Sequence, residues 1–140
     1  MNDDLWVINY NLATNFMENK KENIFLKKSF RFSVEIVKTT QKLVSKNKEY
    51  VLSKQLLRSG TAIGALIREA QNAESKSDFI HKLSIAQKEC DETIYWLDLL
   101  KETDYIDETE HEKLCSVAIE LLKMLRSSIL TTKKSIGKKS

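Results

Sequence analysis

Residues 56–70 read LLRSGTAIGALIREA, and two glycines, Gly60 and Gly64, lie four residues apart within them. Apolar residues continue through this stretch at steps of three and four, which is typical of a helix with one buried face. Each glycine inside a helix costs about 1 kcal/mol relative to alanine. Small side chains let a second backbone approach closer than the usual helix spacing of about 8–10 Å. We therefore predict a close contact, within the chain or between subunits, at four small residues: Ser59, Gly60, Ala62 and Gly64.

The same periodicity occurs four times along the chain and predicts four helices, near residues 24–46, 48–73, 77–103 and 107–132. The chain of 140 residues contains no proline and three glycines, so it has few residues suited to hairpin turns. Short connections favour antiparallel neighbours. The predicted fold is all-α: an antiparallel up-down-up-down four-helix bundle with a loosely ordered N-terminal extension. In the first helix, the predicted seam is Leu26, Phe30, Val37 and Val44, widened by Ile36 and Leu43.

Residues at the predicted helix ends carry recognisable capping signals. Asn47 is the predicted cap of the second helix, and Ser75 with Asp78 resembles a capping box for the third. Asp107 with Glu110 has the same spacing before the fourth helix. Asp104 is expected to take the left-handed backbone conformation that ends the third helix.

Composition divides the chain into three parts. Residues 1–16 lack helical periodicity, and Met17 opens a stretch that resembles a natural beginning. We predict an extension at 1–20, either non-native or an alternative start, a bundle domain at 21–133, and a basic disordered tail at 134–140.

The net charge of +3 is small, but the bases are clustered. One interpretation is that these bases form an ordinary solvated surface. The other is that several copies of the chain in an oligomer bring them together into a surface that binds RNA or DNA. Arg58 and Arg68 are open to two interpretations, ion pairing with acids of the third helix or contact with phosphate or a protein. Adjacent Tyr95 and Trp96 cannot both face the core, so Trp96 is a candidate for a helix or subunit contact. The candidate nucleic-acid or partner contacts are Lys20, Lys21, Lys27, Lys28, Arg31, Arg58 and Arg68, with the tail lysines.

No catalytic or metal-binding pattern is recognised. Glu108 to His111 and Asp78 to His81 have the spacing of di-iron ligands, but they begin antiparallel helices and lie roughly 40 Å apart at 1.5 Å rise per residue. Both histidines are expected to be exposed, and the two cysteines fit no zinc or redox spacing. We therefore predict a non-enzymatic, cytoplasmic protein that has no cofactor, no metal and no membrane partner.

Residues 48–106, together with KSFRFSVEIV at 28–37, resemble the bacterial four-helix bundle family known as 23S rRNA intervening-sequence proteins. Several separated elements match in order over residues 24–130. They include QLLRS at 55–59, IG at 63–64, REA at 68–70, SKSDF at 75–79, KL at 82–83 and YWL at 95–97.

The resemblance implies a bundle that assembles as a ring, often of five subunits, with no biochemical activity established for most members. Some members are encoded inside insertions in 23S rRNA genes. A related accessory protein of diversity-generating retroelements uses a basic pentameric barrel to engage reverse transcriptase and nucleic acid, which implies an alternative role as a protein adaptor. Two departures stand out: Leu66 replaces a common family asparagine, and Asp104 replaces a family glycine.

Overall fold

The computed structural model describes residues 16–137, with side chains from Ile24 onward. It contains four helices, namely α1 (Phe16–Asn47), α2 (Leu52–Ala70), α3 (Lys76–Glu102) and α4 (Glu108–Gly137). α1 begins earlier and α4 ends later than the periodicity predicts, because polar turns can extend a helix beyond its buried stripe. Residues 1–15 and 138–140 lie outside the described part, so most of the predicted extension stays a prediction. Residues 16–20 of that extension and residues 134–137 of the predicted disordered tail are helical, since α1 and α4 include them.

The helices pack in a closed ring of neighbours, α1 against α2, α2 against α3, α3 against α4, and α4 against α1. Residue pairs show that each neighbouring pair is antiparallel. Gly60 of α2 faces Ile36 and Gly64 faces Ser29, so the chain directions oppose each other. Lys28 of α1 pairs with Glu120 of α4, and Lys42, further along α1, pairs with Glu110, which comes earlier in α4, so these two helices also run in opposite directions. These pairs confirm the predicted up-down-up-down bundle.

The predicted seam of α1 is wrong at three positions, although Ile36 and Leu43, which are predicted to widen it, are buried. Phe30, Val37 and Val44 have 65%, 36% and 39% of their surface exposed. Beside Ile36 and Leu43, the buried face of α1 carries Phe25, Ser29, Phe32, Thr39 and Thr40, which the prediction does not include.

Hydroxyl side chains on the buried face explain the error in the α1 seam. Ser29 Oγ donates to the Leu26 carbonyl at 3.1 Å, and Thr40 Oγ1 donates to the Val37 carbonyl at 2.9 Å. Each hydroxyl is satisfied by its own helix, so a polar residue can occupy a buried position without an unpaired group. A count of apolar residues passes over such positions and selects the wrong stripe.

The glycine contact lies within the chain, between α1 and α2. A Cβ added at Gly60 would come 2.8 Å from Ile36 Cγ2, and one at Gly64 would come 3.2 Å from the Ser29 carbonyl oxygen. Ser59 faces the other neighbour, since Thr93 Oγ1 of α3 donates to its Oγ at 3.0 Å. Of the four small residues, Ser59 and Gly60 are buried, and Ala62 and Gly64 are half-buried.

The connection between α1 and α2 differs from the prediction that Asn47 caps the second helix. Asn47 is the last residue of α1, and Lys48 takes a left-handed φ of 55°. Glu49 caps α2 instead: its carboxylate accepts the backbone N–H groups of Val51, Leu52 and Ser53 at 3.0, 2.8 and 2.7 Å. Burial opposes ionisation of Glu49, but these hydrogen bonds outweigh it and lower the pKa.

The remaining helix ends confirm the capping signals. Ser75 Oγ accepts the Asp78 N–H at 3.0 Å, and Asp107 Oδ1 accepts the Glu110 N–H at 2.8 Å. Asp104 has a φ of 65°, and the Tyr105 N–H donates to the Leu100 carbonyl at 2.9 Å. This is the Schellman ending, in which a left-handed residue satisfies the last carbonyls of a helix.

Candidate nucleic-acid interface

A groove of about 410 Å³ separates α1 from α4, which make the smallest of the four helix interfaces. The floor of the groove is apolar and is formed by the side chains of Phe32, Leu114 and Val117. Four bases and one acid, Lys27, Lys28, Arg31, Lys113 and Glu35, surround this floor.

Two of the four bases at the groove are already neutralised. Lys28 is paired with Glu120, and Lys113 Nζ lies 3.7 Å from Glu35 Oε2. Lys27 and Arg31 are exposed, and neither has an ion pair among the side chains that the structure describes. Both cations are therefore available to an anion from outside, and Arg31 can hold a phosphate through two parallel N–H bonds.

The antiparallel packing places the start of α1 and the end of α4 at the same end of the bundle. Residues 16–31 contain five bases and two acids, and residues 121–137 contain four bases and no acid. The opposite half of α4, residues 108–120, contains four glutamates and one lysine. The charge along α4 therefore changes from acidic to basic towards the end of the bundle at which α1 begins, which a net charge of +3 conceals.

Other predicted contact residues lie apart from the groove or outside the described side chains. Lys20 and Lys21 fall on α1, where the side chains are not described, and the last two tail lysines lie beyond Gly137. Arg68 is exposed on α2, with no ion pair in residues 24–137.

Arg58 follows the ion-pair interpretation. It joins α2 to α3, with Nη2 lying 2.6 Å from Glu92 Oε1 and Nη1 lying 3.2 Å from Glu89 Oε2. The hydrogen bond from Arg58 lowers the pKa of Glu92, and the same bond raises the pKa of Arg58. A guanidinium held by two carboxylates is a poor candidate for binding phosphate, because an anion would have to displace them.

Trp96 packs against the core, and Tyr95 points outward. The two rings meet edge to face, with centroids 5.1 Å apart. Trp96 Nε1 is buried and makes no hydrogen bond of normal geometry with the described residues, although the indole contributes to lowering the pKa of Glu92. Trp96 therefore takes part in packing within the chain, and a subunit contact at Trp96 stays a prediction. Leu66 also packs against the core, so an apolar side chain fills that position.

The cysteines do not have the character of activated nucleophiles. Burial raises the pKa of Cys90 to about 12 and that of Cys115 to about 11, whereas a reactive thiol needs a lowered pKa.

His81 is exposed as expected, but His111 is not: its side chain is 17% exposed and contacts Asp98 and Cys115. The antiparallel α3–α4 pairing brings those three together, and neither a search for Glu-x-x-His nor one for paired cysteines detects them.

No helix in residues 16–137 has the length and the apolar content that a bilayer crossing requires.

Comparison with known proteins places the chain in a family. The model of the 23S rRNA-intervening sequence proteins matches residues 21–127. A crystal structure of a protein with unknown function from the S23 ribosomal protein family of Bacteroides thetaiotaomicron VPI-5482 is 50% identical, with a TM-score of 0.77. The match covers 78% of this chain and 97% of that one. Comparison with curated proteins gave no match. The chain therefore belongs to the 23S rRNA-intervening sequence protein family.

Proposed function

We propose that this protein is a non-enzymatic, cytoplasmic bundle that binds structured RNA across the basic groove between α1 and α4. The observation that carries the proposal is the pair of exposed cations, Lys27 and Arg31, which have no ion pair among the described side chains. Further bases occur in the sequence at the start of α1 and the end of α4, which lie at the same end of the bundle. The family description refers to 23S rRNA, which favours RNA over DNA as the first ligand to test.

The groove suits backbone phosphate better than individual bases. Lysine and arginine contact phosphate without reading sequence, so binding is expected to depend on RNA shape and salt. No aromatic ring lies exposed among the residues that line the groove, because Phe32 is buried. Stacking of unpaired bases is therefore not expected to contribute there.

A titration of a fluorescently labelled RNA hairpin, followed by anisotropy at low salt, tests the proposal. Lys27→Gln combined with Arg31→Gln should weaken binding by about tenfold or more, since two phosphate contacts are lost. Lys54→Gln combined with Lys88→Gln is the matched control, because it removes the same charge from α2 and α3. Absence of binding by the wild type, or equal weakening by both double variants, would overturn the proposal.

We also propose that the protein self-associates, with copies meeting on the outer face of α1. Phe30, Val37 and Val44 are exposed at intervals of seven residues, so they form one apolar stripe along the helix. A seven-residue repeat is the spacing with which one helix packs along another. A second copy of α1 is the occupant that this repeat fits, and rings of five copies remain the expectation from the family resemblance.

Light scattering after size exclusion measures this association. The wild type should have a mass several times that of one chain, and Phe30→Lys with Val37→Lys should give a monomer. Leu130→Lys is the control, because Leu130 is equally an exposed apolar residue but lies on α4. A monomeric wild type, or an unchanged mass in the double variant, would contradict the proposal.

A role as a protein adaptor is the alternative, and the apolar floor of the groove favours it. An amphipathic helix with an acidic face would place apolar residues on Phe32 and Val117 and acids beside Lys27 and Arg31. The partner could belong to a mobile-element or reverse-transcriptase complex, as the family resemblance implies. If such a helical peptide binds the wild type and the RNA hairpin does not, the adaptor role replaces RNA binding.

A further inference from the structure

Three potential metal ligands converge where α3 ends and α4 begins. His111 Nε2 lies 2.7 Å from Asp98 Oδ1 and 3.3 Å from Cys115 Sγ. The three ligand atoms all lie within 4.8 Å of one another. His111 and Cys115 are four residues apart on α4, so one helix presents both to the same point. Asp98 reaches that point from the last turns of α3.

A hydrogen-bonded triad does not account for this arrangement. In a nucleophile–base–acid triad, the base uses one ring nitrogen for the nucleophile and the other for the carboxylate. Here both partners contact the same nitrogen, Nε2. A nitrogen that donates its single proton to Asp98 cannot also accept the thiol proton of Cys115, so the two contacts are not the paired hydrogen bonds of a triad.

A cation at the common point satisfies all three groups at once. Around tetrahedral zinc, the nitrogen and sulfur ligands lie about 3.5 Å apart and the nitrogen and oxygen ligands about 3.3 Å apart, from bond lengths of about 2.0–2.3 Å. The His111–Cys115 separation of 3.3 Å is already close to the required value. Asp98 has to move away from His111, which its 59% exposed side chain can do at the surface.

The chemistry of the three ligand atoms indicates which metal ion the site would prefer. Thiolate sulfur, imidazole nitrogen and carboxylate oxygen together favour a borderline divalent ion such as Zn²⁺ over Mg²⁺ or Ca²⁺, which prefer oxygen ligands. Three protein ligands leave the fourth position to water, and the exposure of Asp98 opens that position to solvent. On binding, the Cys115 thiol releases its proton to solvent and Sγ coordinates the ion as thiolate.

We propose that Asp98, His111 and Cys115 form a Zn²⁺ site that joins the end of α3 to the start of α4. The site is independent of the basic groove. It replaces the expectation from sequence that the chain holds no metal, which considered only carboxylate–histidine pairs and cysteine spacings.

Titration of untagged, chelator-treated full-length protein with Co²⁺ alone and Zn²⁺ alone tests the proposal. We expect one ion per chain. Co²⁺ should give the visible absorption of tetrahedral cobalt and a thiolate-to-cobalt charge-transfer band, both displaced by Zn²⁺. Zn²⁺ should also raise the melting temperature, since it binds the folded chain. The charge-transfer band shows that a cysteine thiolate binds the metal, which a purely structural contact would not do, and the Cys115→Ser variant then shows which cysteine it is.

Single substitutions distinguish this site from other binding. Cys115→Ser should abolish the charge-transfer band, and Asp98→Asn and His111→Gln should each weaken Zn²⁺ binding by about tenfold or more. Asp98 is exposed, so Asp98→Asn should leave the fold intact and keeps the test valid if Cys115→Ser fails to fold. His81→Gln, which removes the exposed histidine, is the control and should change nothing. Absent charge transfer in the wild type, or equal weakening by His81→Gln, would overturn the proposal.

Discussion

Gly60 packs against Ile36 of α1 with no room for a side chain. A Cβ there would lie 2.8 and 2.9 Å from the two γ carbons of Ile36, which is fully buried. A β-branched side chain in a helix has one strongly preferred χ1 rotamer, so Ile36 cannot rotate away freely. Packing within the chain is therefore sufficient to explain glycine at position 60.

Gly60→Ala should lower the free energy of unfolding, although alanine is the better helix former. Overpacking costs about 1–3 kcal/mol, and the gain in helix propensity is about 1 kcal/mol. Urea denaturation of Gly60→Ala, Ile36→Ala and the double variant forms a cycle that isolates the contact. The double variant should lose less than the sum of the single losses.

Gly137→Ala is the control for this cycle, because a Cβ at Gly137 meets no atom within 4 Å. Its free energy of unfolding should match the wild type. Strict additivity of Gly60→Ala and Ile36→Ala would show that the two residues do not press against each other.

The sequence predicts the contact at the two glycines correctly but not the buried face of α1. The spacing of Gly60 and Gly64 correctly indicates a close approach, because glycine has few other uses inside a helix. The seam of α1 fails because Ser29 and Thr40 satisfy their own hydroxyls and occupy the buried face. Apolar content alone cannot distinguish Phe32, which is buried, from Phe30, which is exposed.

At the scale of the helix, the start of α2 depends on one carboxylate. Glu49 accepts three backbone N–H groups that would otherwise lack partners at the first turn. The sequence suggests Asn47 instead, since asparagine is a common cap and glutamate is not. Glu49 can act from this position because Lys48 turns the chain with a positive φ.

Glu49→Gln should destabilise the protein at neutral pH by about 1–2 kcal/mol, the range of a lost helix cap. The folded-state pKa of Glu49 lies below the reference value of 4.5, so its contribution is complete above that value. The contribution disappears as the pH falls through the lowered pKa. The difference between wild type and variant, measured by urea denaturation, should therefore shrink on acidification.

Glu112→Gln serves as the control, because Glu112 is exposed to solvent on α4. Its difference from the wild type should stay small at every pH. A Glu49→Gln difference that does not vary with pH would show that the cap does not depend on the charge.

At the end of α3, a single substitution should raise the free energy of unfolding rather than lower it. Asp104 holds a φ of 65°, a conformation that glycine adopts without the Cβ penalty. Asp104→Gly should stabilise the protein by up to about 1 kcal/mol, and Asp104→Val should destabilise it. Thermal unfolding of both variants is the measurement. Destabilisation by glycine would mean that the Asp104 side chain, rather than its backbone, ends the helix.

At the scale of the whole molecule, function depends on where the helices place their charges. The α1–α4 groove exists because these two helices make the smallest of the four helix interfaces within the bundle. Periodicity predicts the bundle but not this groove, since the misassigned seam of α1 leaves the orientation of Lys27 and Arg31 undetermined. The cluster at Asp98, His111 and Cys115 likewise requires the register between α3 and α4, although the short connection does predict that they are neighbours.

The salt dependence of RNA binding tests the central functional claim most directly. The logarithm of the binding constant should fall linearly with the logarithm of salt concentration, with a slope of roughly −0.7 to −0.9 for each phosphate contact. Replacing Lys27 and Arg31 by glutamine should make that slope shallower by about one to two, and replacing Lys54 and Lys88 should leave it unchanged. Equal slopes for the wild type and the Lys27/Arg31 variant would contradict an RNA site in the α1–α4 groove.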